Sequence, residues 1–193
     1  MTVRLEEEPI DRLGAHGEIP IAFLVERILA VSSSDSGLGG ITLNEVEVAE
    51  PWVKDYDTIK SEGPSRWLKR FDTSNWGLIA AFDEGIRIGG AVVAFDSPDL
   101  HMLAGRRDMA VLWDIRVRPD ARSSGVGSAL FRAAEQWCRQ RGCRTLKVET
   151  QNINVAACRF YARMGCYLGG IDRFAYPALP DETQLLWYKD LAS

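Results

Sequence analysis

The sequence predicts an α/β fold, because strand patterns and helix patterns alternate along its second half. A strand-like stretch from Val111 to Val117 is followed, after a turn, by an amphipathic helix pattern from Ser128 to Arg141. A second strand pattern, Thr145 to Thr150, precedes a short helix pattern that begins near Asn154. Alternation of this kind is typical of a sheet that is covered by helices.

The elements before this region are predicted from local patterns. Leu78 to Phe82 and Ile86 to Phe95 should form a hairpin, because Asp83-Glu84-Gly85 is a typical turn sequence with a glycine available for a left-handed position. Four further elements are expected: a strand near Val3 to Glu7, an amphipathic helix near Pro20 to Val31, a strand from Ile41 to Val48, and a short helix from Pro64 to Phe71 with proline at its start.

The later elements follow from helix periodicity and from strand patterns. Apolar residues recur at three- and four-residue steps after Val126, so one face of that helix should pack on the sheet, and Gly142 should end the helix. Met109 to Arg118 is expected as the central strand. Tyr167 to Tyr176 and Thr183 to Tyr188 are expected as the last two strands.

Composition restricts the class of protein. A chain of 193 residues with 46% hydrophobic residues can form one domain with a substantial core. A net charge of −4 argues against nucleic acid as a partner and favours a cationic substrate. Four cysteines without a C-x-x-C pair and two histidines predict buried thiols and no metal site. Without a signal-peptide pattern or a membrane-spanning stretch, we expect a cytoplasmic protein that does not bind membranes.

The segment from Arg122 to Gly127 has the composition of a phosphate-binding turn. Its two glycines allow backbone N–H groups to approach an anion, and the following helix directs the positive end of its dipole at the same place. A dinucleotide-binding (Rossmann) unit, with Glu149 on the ribose, remains an alternative, although Leu130 occupies its third glycine position. The predicted pyrophosphate-binding residues are Arg122, Ser123, Ser124, Gly125, Val126, Gly127 and Ser128.

Two motifs resemble the GCN5-related N-acetyltransferase (GNAT) superfamily. They are Val117-x-Pro119-x-x-Arg122-x-x-Gly125-x-Gly127 and Asn154-x-x-Ala157-x-x-Phe160-Tyr161-x-x-x-Gly165. Within that superfamily, the run from Glu149 to Cys158 and the motif Gly170-Ile171-Asp172-x-x-x-Tyr176 resemble the streptothricin acetyltransferases. Two positions depart from the family pattern: Cys166 replaces an aromatic residue, and Ser124 replaces a residue that is often glycine or basic.

The resemblance implies a fold and a domain organisation. The sheet would be mixed and mostly antiparallel, with helices on both faces and a V-shaped splay between the central strands. Residues 1–193 would form a single N-acetyltransferase domain, with an acceptor-side half in 1–75 and an acetyl-CoA-binding half in 76–193. Acetyl-CoA would be the co-substrate, without a metal ion. The further residues implied in holding it are Ile115, Arg116, Val117 and Asn154.

The resemblance also implies an acid and leaves two candidate bases. Deprotonating a lysine-like ammonium at pH 7 costs about 4–5 kcal/mol, so a base or a water relay is needed. Asp114 and Glu149 are the candidates. Alternatively, Asp114 could form a structural ion pair with Arg116 or Arg118. A β-bulge of the kind found in this family would change the face of the sheet to which Asp114 points. Glu149 could likewise have a purely structural role. The resemblance implies that Tyr161 protonates the leaving thiolate. Alternatively, Tyr161 is an ordinary helix tyrosine that packs against the sheet.

We therefore predict transfer of the acetyl group of acetyl-CoA to a primary amine by direct attack, with a streptothricin-type antibiotic as the first candidate acceptor. The alternatives are a protein, N-terminal or polyamine acetyltransferase and a non-catalytic acyl-CoA-binding module. The protein would be a monomer or a homodimer. The acceptor would be bound by aromatic and acidic side chains, which together suit a cation. Tryptophans in segments with a strand pattern are, however, often core residues. The candidate substrate-binding residues are Trp52, Asp55, Trp76, Asp172 and Tyr176.

Overall fold

The computed structural model describes residues 2–59 and 63–192. The described residues fall into two compact units that alternate along the chain. The first unit lies within Met1–Ile21, Asp55–Val148 and Lys189–Ser193, and the second comprises Ala22–Lys54 and Glu149–Tyr188. The expected division between residues 75 and 76 is therefore not a boundary between these units, and the single domain stays a prediction.

The described part of the chain contains nine β-strands and four α-helices, joined in places by short 3-10 turns. In chain order they are β1 (Arg4–Glu8), α1 (Leu13–Gly17), β2 (Phe23–Ser33), β3 (Ile41–Lys54), α2 (Pro64–Arg70), β4 (Gly77–Asp83), β5 (Ile86–Ala94), β6 (Met109–Val117), α3 (Val126–Gln140), β7 (Thr145–Gln151), α4 (Val155–Arg163), β8 (Tyr167–Asp172) and β9 (Gln184–Asp190).

In the first unit the strand order is β1-β4-β5-β6-β7. All neighbours pair antiparallel except β6 and β7, which pair in parallel from Met109 opposite Thr145 to Leu112 opposite Val148. The predicted mixed, mostly antiparallel sheet is confirmed. The Rossmann alternative is wrong, because that fold requires a mostly parallel sheet. The V-shaped splay stays a prediction.

Strand β6 contains the bulge that the resemblance suggested. Val92 of β5 lies opposite Asp114, whereas the next residue, Val93, lies opposite Leu112, so Trp113 is the extra residue of β6. A bulge re-aims the side chains that follow it. As a result, Asp114 and Arg116 are buried.

Helices cover both faces of the sheet in the first unit. A Cβ atom at Gly89 of β5 would lie 3.0 Å from Leu130 of α3, whereas one at the adjacent Gly90 would overlap His16 of α1. Neighbouring residues of a strand point to opposite faces, so α1 and α3 lie on opposite sides of the sheet. The predicted apolar face of α3 is buried, and Gly142 ends the helix with a φ of 74°.

The hairpin and α2 also form as predicted. Glu84 and Gly85 both have a positive φ in the turn between β4 and β5, and proline stands at the start of α2. On the face of α1 and α2, the core contains an aromatic cluster in which Trp76 packs against Phe71 and Trp113, with ring centroids 5.6 Å apart in each pair.

In the second unit, β2 and β3 form an antiparallel hairpin, and β9 lies between the end of β7 and β8. The predicted helix near Pro20 to Val31 is wrong. The apolar spacing there fits a helix, but the segment pairs with β3 from Phe23 opposite Lys54 to Ser33 opposite Ile41. Pairing with a partner strand overrode the local pattern. The predicted Ile41 to Val48 strand is confirmed and extends to Lys54.

Candidate functional site

The turn after β6 has a left-handed backbone at two positions. Ser123 has a φ of 63° and Gly125 a φ of 92°, while Oγ of Ser124 donates to the carbonyl of Ala121 at 2.6 Å. Glycine adopts such a φ without the cost that a Cβ imposes. The turn therefore reverses the chain sharply and starts α3 at Val126.

The N-terminus of α3 suits an anion. Its N-cap is Gly125, no side chain caps the helix, and the first turn contains no acidic residue. The first N–H groups of a helix lack intrahelical acceptors, and the helix dipole makes this end positive. The predicted pyrophosphate-binding residues 122–128 thus lie where backbone donors converge, and the site fits a pyrophosphate chemically.

Arg122 supports this turn through backbone contacts. Its Nε donates to the carbonyl of Val117 at 3.1 Å, and its Nη2 donates to the carbonyl of Pro20 at 3.2 Å. These bonds connect the start of the turn to the end of β6 and to the segment that follows α1. The side chain is exposed, and its predicted contact with a pyrophosphate stays a prediction.

Backbone donors of β6 point away from β5. The N–H of Arg118 donates to the carbonyl of Ile88 at 2.9 Å, which makes these two residues a hydrogen-bonded pair. Such pairs alternate along an antiparallel ladder, so the N–H groups of Ile115 and Val117 point to the opposite edge of β6. Both residues lie beyond the last β6–β7 pair at Leu112. This geometry is consistent with the predicted role of Ile115 and Val117 in holding acetyl-CoA.

Asp114 belongs to a buried network of charged side chains. Nε2 of His16 donates to Oδ1 of Asp114 at 2.8 Å, and Nε and Nη2 of Arg116 donate to its two oxygens at 2.9 and 3.0 Å. Arg116 also donates to both carboxylate oxygens of Asp57 and to the carbonyl of Ile19. The network joins α1, β6 and the segment after β3.

These contacts correct the predicted role of Asp114. Burial by itself would raise its pKa, but the hydrogen bond and charge of His16, followed by those of Arg116, outweigh burial and lower the pKa below the ordinary value. A lowered pKa makes a carboxylate a weaker proton acceptor. The alternative, an ion pair with Arg116, is present in the structure, whereas Arg118 pairs with Asp120. We do not retain Asp114 as a base.

Glu149 and Tyr176, to which the sequence assigned different roles, lie together in the second unit. The Tyr176 hydroxyl donates to Oε1 of Glu149 at 2.6 Å, and the Gln184 amide donates to Oε2 at 2.8 Å. Gln151 donates to the Tyr176 oxygen at 3.0 Å. Burial raises the pKa of Tyr176, and the charge of Glu149 raises it further. The phenol is therefore held neutral, with its proton directed at Glu149.

The two glutamines are functional candidates that the sequence analysis missed. Gln151 follows Glu149 by two residues on β7, and side chains two apart on a strand share a face, so this spacing was a usable signal. Gln184 gave no such signal, because only the pairing of β9 with β7 brings it to Glu149.

A cavity of about 580 Å³ lies next to this cluster, in the second unit. Its wall includes Val31, Phe174, Tyr176 and Asp181. Asn152 forms a braced part of the wall, since its side chain donates to the carbonyl of Leu29 at 3.1 Å and accepts from the N–H of Thr183 at 2.8 Å. We refer to this space as the Tyr176 cavity.

Helix α4 begins and ends as predicted. The Asn154 side chain accepts a hydrogen bond from the N–H of Ala157 at 3.1 Å and so caps the helix, and Gly165 follows its last turn with a φ of 78°. Tyr161 is 5% exposed on this helix. Its role as the acid, and contact of Asn154 with the cofactor, stay predictions.

The remaining candidate acceptor residues are dispersed. Trp52 is 41% exposed on β3, and Asp172 accepts from the N–H of Phe174 at 2.8 Å; both belong to the second unit. In the first unit, Asp55 accepts from the N–H of Asp57 at 3.0 Å and caps a short turn. Trp76 is corrected to a core residue, because it is 6% exposed inside the aromatic cluster.

The four cysteines are buried free thiols, as predicted. Within residues 2–59 and 63–192, no group of three or more His, Cys, Asp or Glu side chains is arranged to hold a metal ion. Over the same residues, no helix combines the length and the apolar character needed to cross a bilayer.

Comparison with known proteins agrees with the fold. The sequence profile described as Acetyltransferase (GNAT) family matches residues 45–166. Streptothricin acetyltransferase A of Bacillus subtilis strain 168 is 38% identical over 81 residues, which cover 41% of this chain and 47% of that protein. The chain therefore spans about half the length of this relative.

Two solved structures resemble the whole chain. The crystal structure of nourseothricin acetyltransferase has 26% sequence identity and a TM-score of 0.77, and the likeness covers 99% of both chains. A protein assigned as a streptothricin acetyltransferase from Bacillus anthracis strain Ames, in complex with acetyl coenzyme A, has 27% identity and a TM-score of 0.75 over 98% of this chain and 99% of that one. Because the family profile covers more than half of the sequence, the chain belongs to the acetyltransferase (GNAT) family.

Proposed function

We propose that the protein transfers the acetyl group of acetyl-CoA to a primary amine by direct attack. The observation that carries this proposal is the glycine turn at the uncapped N-terminus of α3, where backbone donors and the helix dipole favour a pyrophosphate. Family membership supports the same cofactor, as does the likeness to a protein solved with acetyl coenzyme A.

The turn residues would hold the pyrophosphate. Gly125 and Gly127 would let it approach the backbone, Arg122 would add a charge-assisted donor, and Ser123, Ser124, Val126 and Ser128 would complete the turn. The N–H groups of Ile115 and Val117 point away from β5 and would bind carbonyl oxygens of the pantetheine arm or of the reacting thioester. Asn154 would reach the same arm through its amide nitrogen.

The chemistry requires one proton to leave the amine and one to reach the sulfur. The amine nitrogen forms a bond to the carbonyl carbon, the carbon–sulfur bond breaks, and the thiolate takes a proton from the Tyr161 hydroxyl. Proton transfer from the phenol to the thiolate is unfavourable by about 2 kcal/mol, so it would be coupled to proton release from the amine, and the phenolate would regain its proton from solvent. With Asp114 held by His16 and Arg116, the base would be Glu149 or a water relay to it.

A streptothricin-type antibiotic is the acceptor that we favour. Three curated relatives bear the name streptothricin acetyltransferase, one of them matching over 79% of this chain. The run from Glu149 to Cys158 resembles the same branch of the superfamily. The acidic net charge of the chain suits a basic acceptor.

The test is mass spectrometry of products after incubation of the purified protein with acetyl-CoA and one amine at a time. Streptothricin, spermidine and a peptide with a free N-terminus distinguish the candidate acceptors. We expect a single acetyl group on streptothricin, together with release of CoA. Acetylation of the peptide or spermidine alone would support the other acetyltransferase functions, and acetyl-CoA binding without any product would support the non-catalytic module.

A further inference from the structure

We propose that the Tyr176 cavity is the acceptor site and that it selects a drug-sized molecule that presents an aliphatic ammonium group. This inference rests on the proposed function and adds the residues that read the acceptor. Tyr176 would position the amine, and Asp181 with Glu149 would supply the negative potential.

The size of the cavity excludes a simple alkylamine as the best-fitting ligand. Its volume of about 580 Å³ lies within the roughly 300–1,000 Å³ range of pockets that bury drug-sized ligands. Val31, Pro177 and the rings of Phe174 and Tyr176 provide apolar wall, and Asn152 is held in place by Leu29 and Thr183. A shaped pocket of this kind favours a ligand with substantial apolar surface besides its charge.

The Tyr176 hydroxyl is oriented so that it can accept from the ligand. A hydroxyl has one donor and two lone pairs. The donor is directed at Glu149, at 2.6 Å, and one lone pair accepts from Gln151, at 3.0 Å. Because Gln184 fixes the other oxygen of Glu149, this arrangement is already in place before a ligand binds. The Gln184 amide also interacts with this oxygen, and an ammonium group in the cavity would compete with it for the second lone pair.

Charge at the cavity favours a cation. The wall contains the carboxylate of Asp181 and the guanidinium of Arg173, and the carboxylate of Glu149 lies directly behind Tyr176. Two negative groups and one positive group leave a net negative potential. The faces of Phe174 and Tyr176 add attraction for an ammonium group through their ring quadrupoles.

The experiment compares two cavity variants with two matched controls by steady-state kinetics on streptothricin. Tyr176→Phe keeps the ring and removes the hydroxyl; Tyr167→Phe removes a hydroxyl from a 75% exposed tyrosine on β8. Asp181→Asn removes a charge from the cavity wall; Glu50→Gln removes one from exposed β3.

We expect the KM for streptothricin to rise about tenfold or more in Tyr176→Phe, as for loss of a hydrogen bond to a charged group. Asp181→Asn should raise it about threefold, as for an exposed charge pair. The KM for acetyl-CoA should stay unchanged in both, and the controls should match the wild type. Calorimetric titration of streptothricin without acetyl-CoA should show the same order of affinities.

The outcomes separate the two proposals. A wild-type protein that acetylates no amine overturns the proposed function and this inference with it. Acetyl transfer by the wild type with an unchanged streptothricin KM in both cavity variants overturns the inference alone. Asp181 is exposed, so its variant keeps the test decisive if Tyr176→Phe folds poorly.

Discussion

His16 and Asp114, which lie 98 positions apart in the sequence, are joined by a buried hydrogen bond of 2.8 Å between Nε2 and Oδ1. The bond connects α1 to β6 just after the bulge at Trp113. Arg116 extends it to Asp57. The backbone between Asp114 and Val117 is therefore held from its buried side, and this is the segment whose N–H groups we propose as donors to the cofactor.

Replacement of Asp114 by asparagine should destabilise the protein strongly. The variant leaves the buried Arg116 without one of its two carboxylates, and breaking a buried ion pair costs about 3–5 kcal/mol. The matched control is Asp120→Asn, which breaks the exposed pair with Arg118 and should cost less than about 1 kcal/mol. Denaturant unfolding at neutral pH measures both, and equal losses would contradict a structural role for the network.

The same carboxylate should make stability depend on pH on the acid side. The pKa of Asp114 is lowered in the folded protein, so its contribution is fully present above the unfolded pKa of about 4 and is lost as the pH falls through the folded pKa. We expect the free energy of unfolding of the wild type to fall below about pH 4, and that of Asp114→Asn to fall less. Parallel acid limbs in the two proteins would refute this assignment.

Gly90 should be required by the position of His16. A Cβ atom there would overlap Nδ1 of His16, and overpacking of this kind typically costs about 1–3 kcal/mol. Gly14→Ala on α1 is the matched control, because no atom lies within 4 Å of its added Cβ. That variant should be neutral or stabilised by up to about 1 kcal/mol. Thermal unfolding distinguishes the two, and a neutral Gly90→Ala would mean that the ring can move aside.

Substitution of Gly127 by valine tests the pyrophosphate site. A branched side chain in the first turn of α3 would obstruct the approach of the phosphate, so the Kd for acetyl-CoA should rise about tenfold or more. Gln136→Val places the same side chain on the exposed face of α3 and controls for helix propensity. Isothermal titration with acetyl-CoA reports both, and an unchanged affinity in Gly127→Val would remove this turn from the cofactor site.

Loss of the Tyr161 hydroxyl should reduce turnover more than binding. Tyr161→Phe keeps the buried ring, so acetyl-CoA affinity should hold while kcat falls by about 10²–10⁴. Tyr167→Phe serves as the control, with wild-type kinetics expected. The pH–rate profile decides the role: an acid loses its alkaline limb in the variant, whereas a packing residue leaves the profile unchanged and shows lower stability instead.

Local signals in the sequence determined the turn before α3 and both ends of α4. The turn before α3, the cap at Asn154 and the glycine that ends α4 each depend on residues close in the chain. A glycine with positive φ or a capping amide acts on its own neighbours, so each could be inferred without knowledge of the sheet.

Only the tertiary structure decided which of the candidate groups interact. Segment 23–33 became a strand because β3 pairs with it, against its helical spacing. Asp114 is bound by a histidine from a distant helix, and Glu149 by Tyr176 and by a glutamine of β9. Such partners meet through strand pairing and packing between remote segments, and local periodicity contains no record of them.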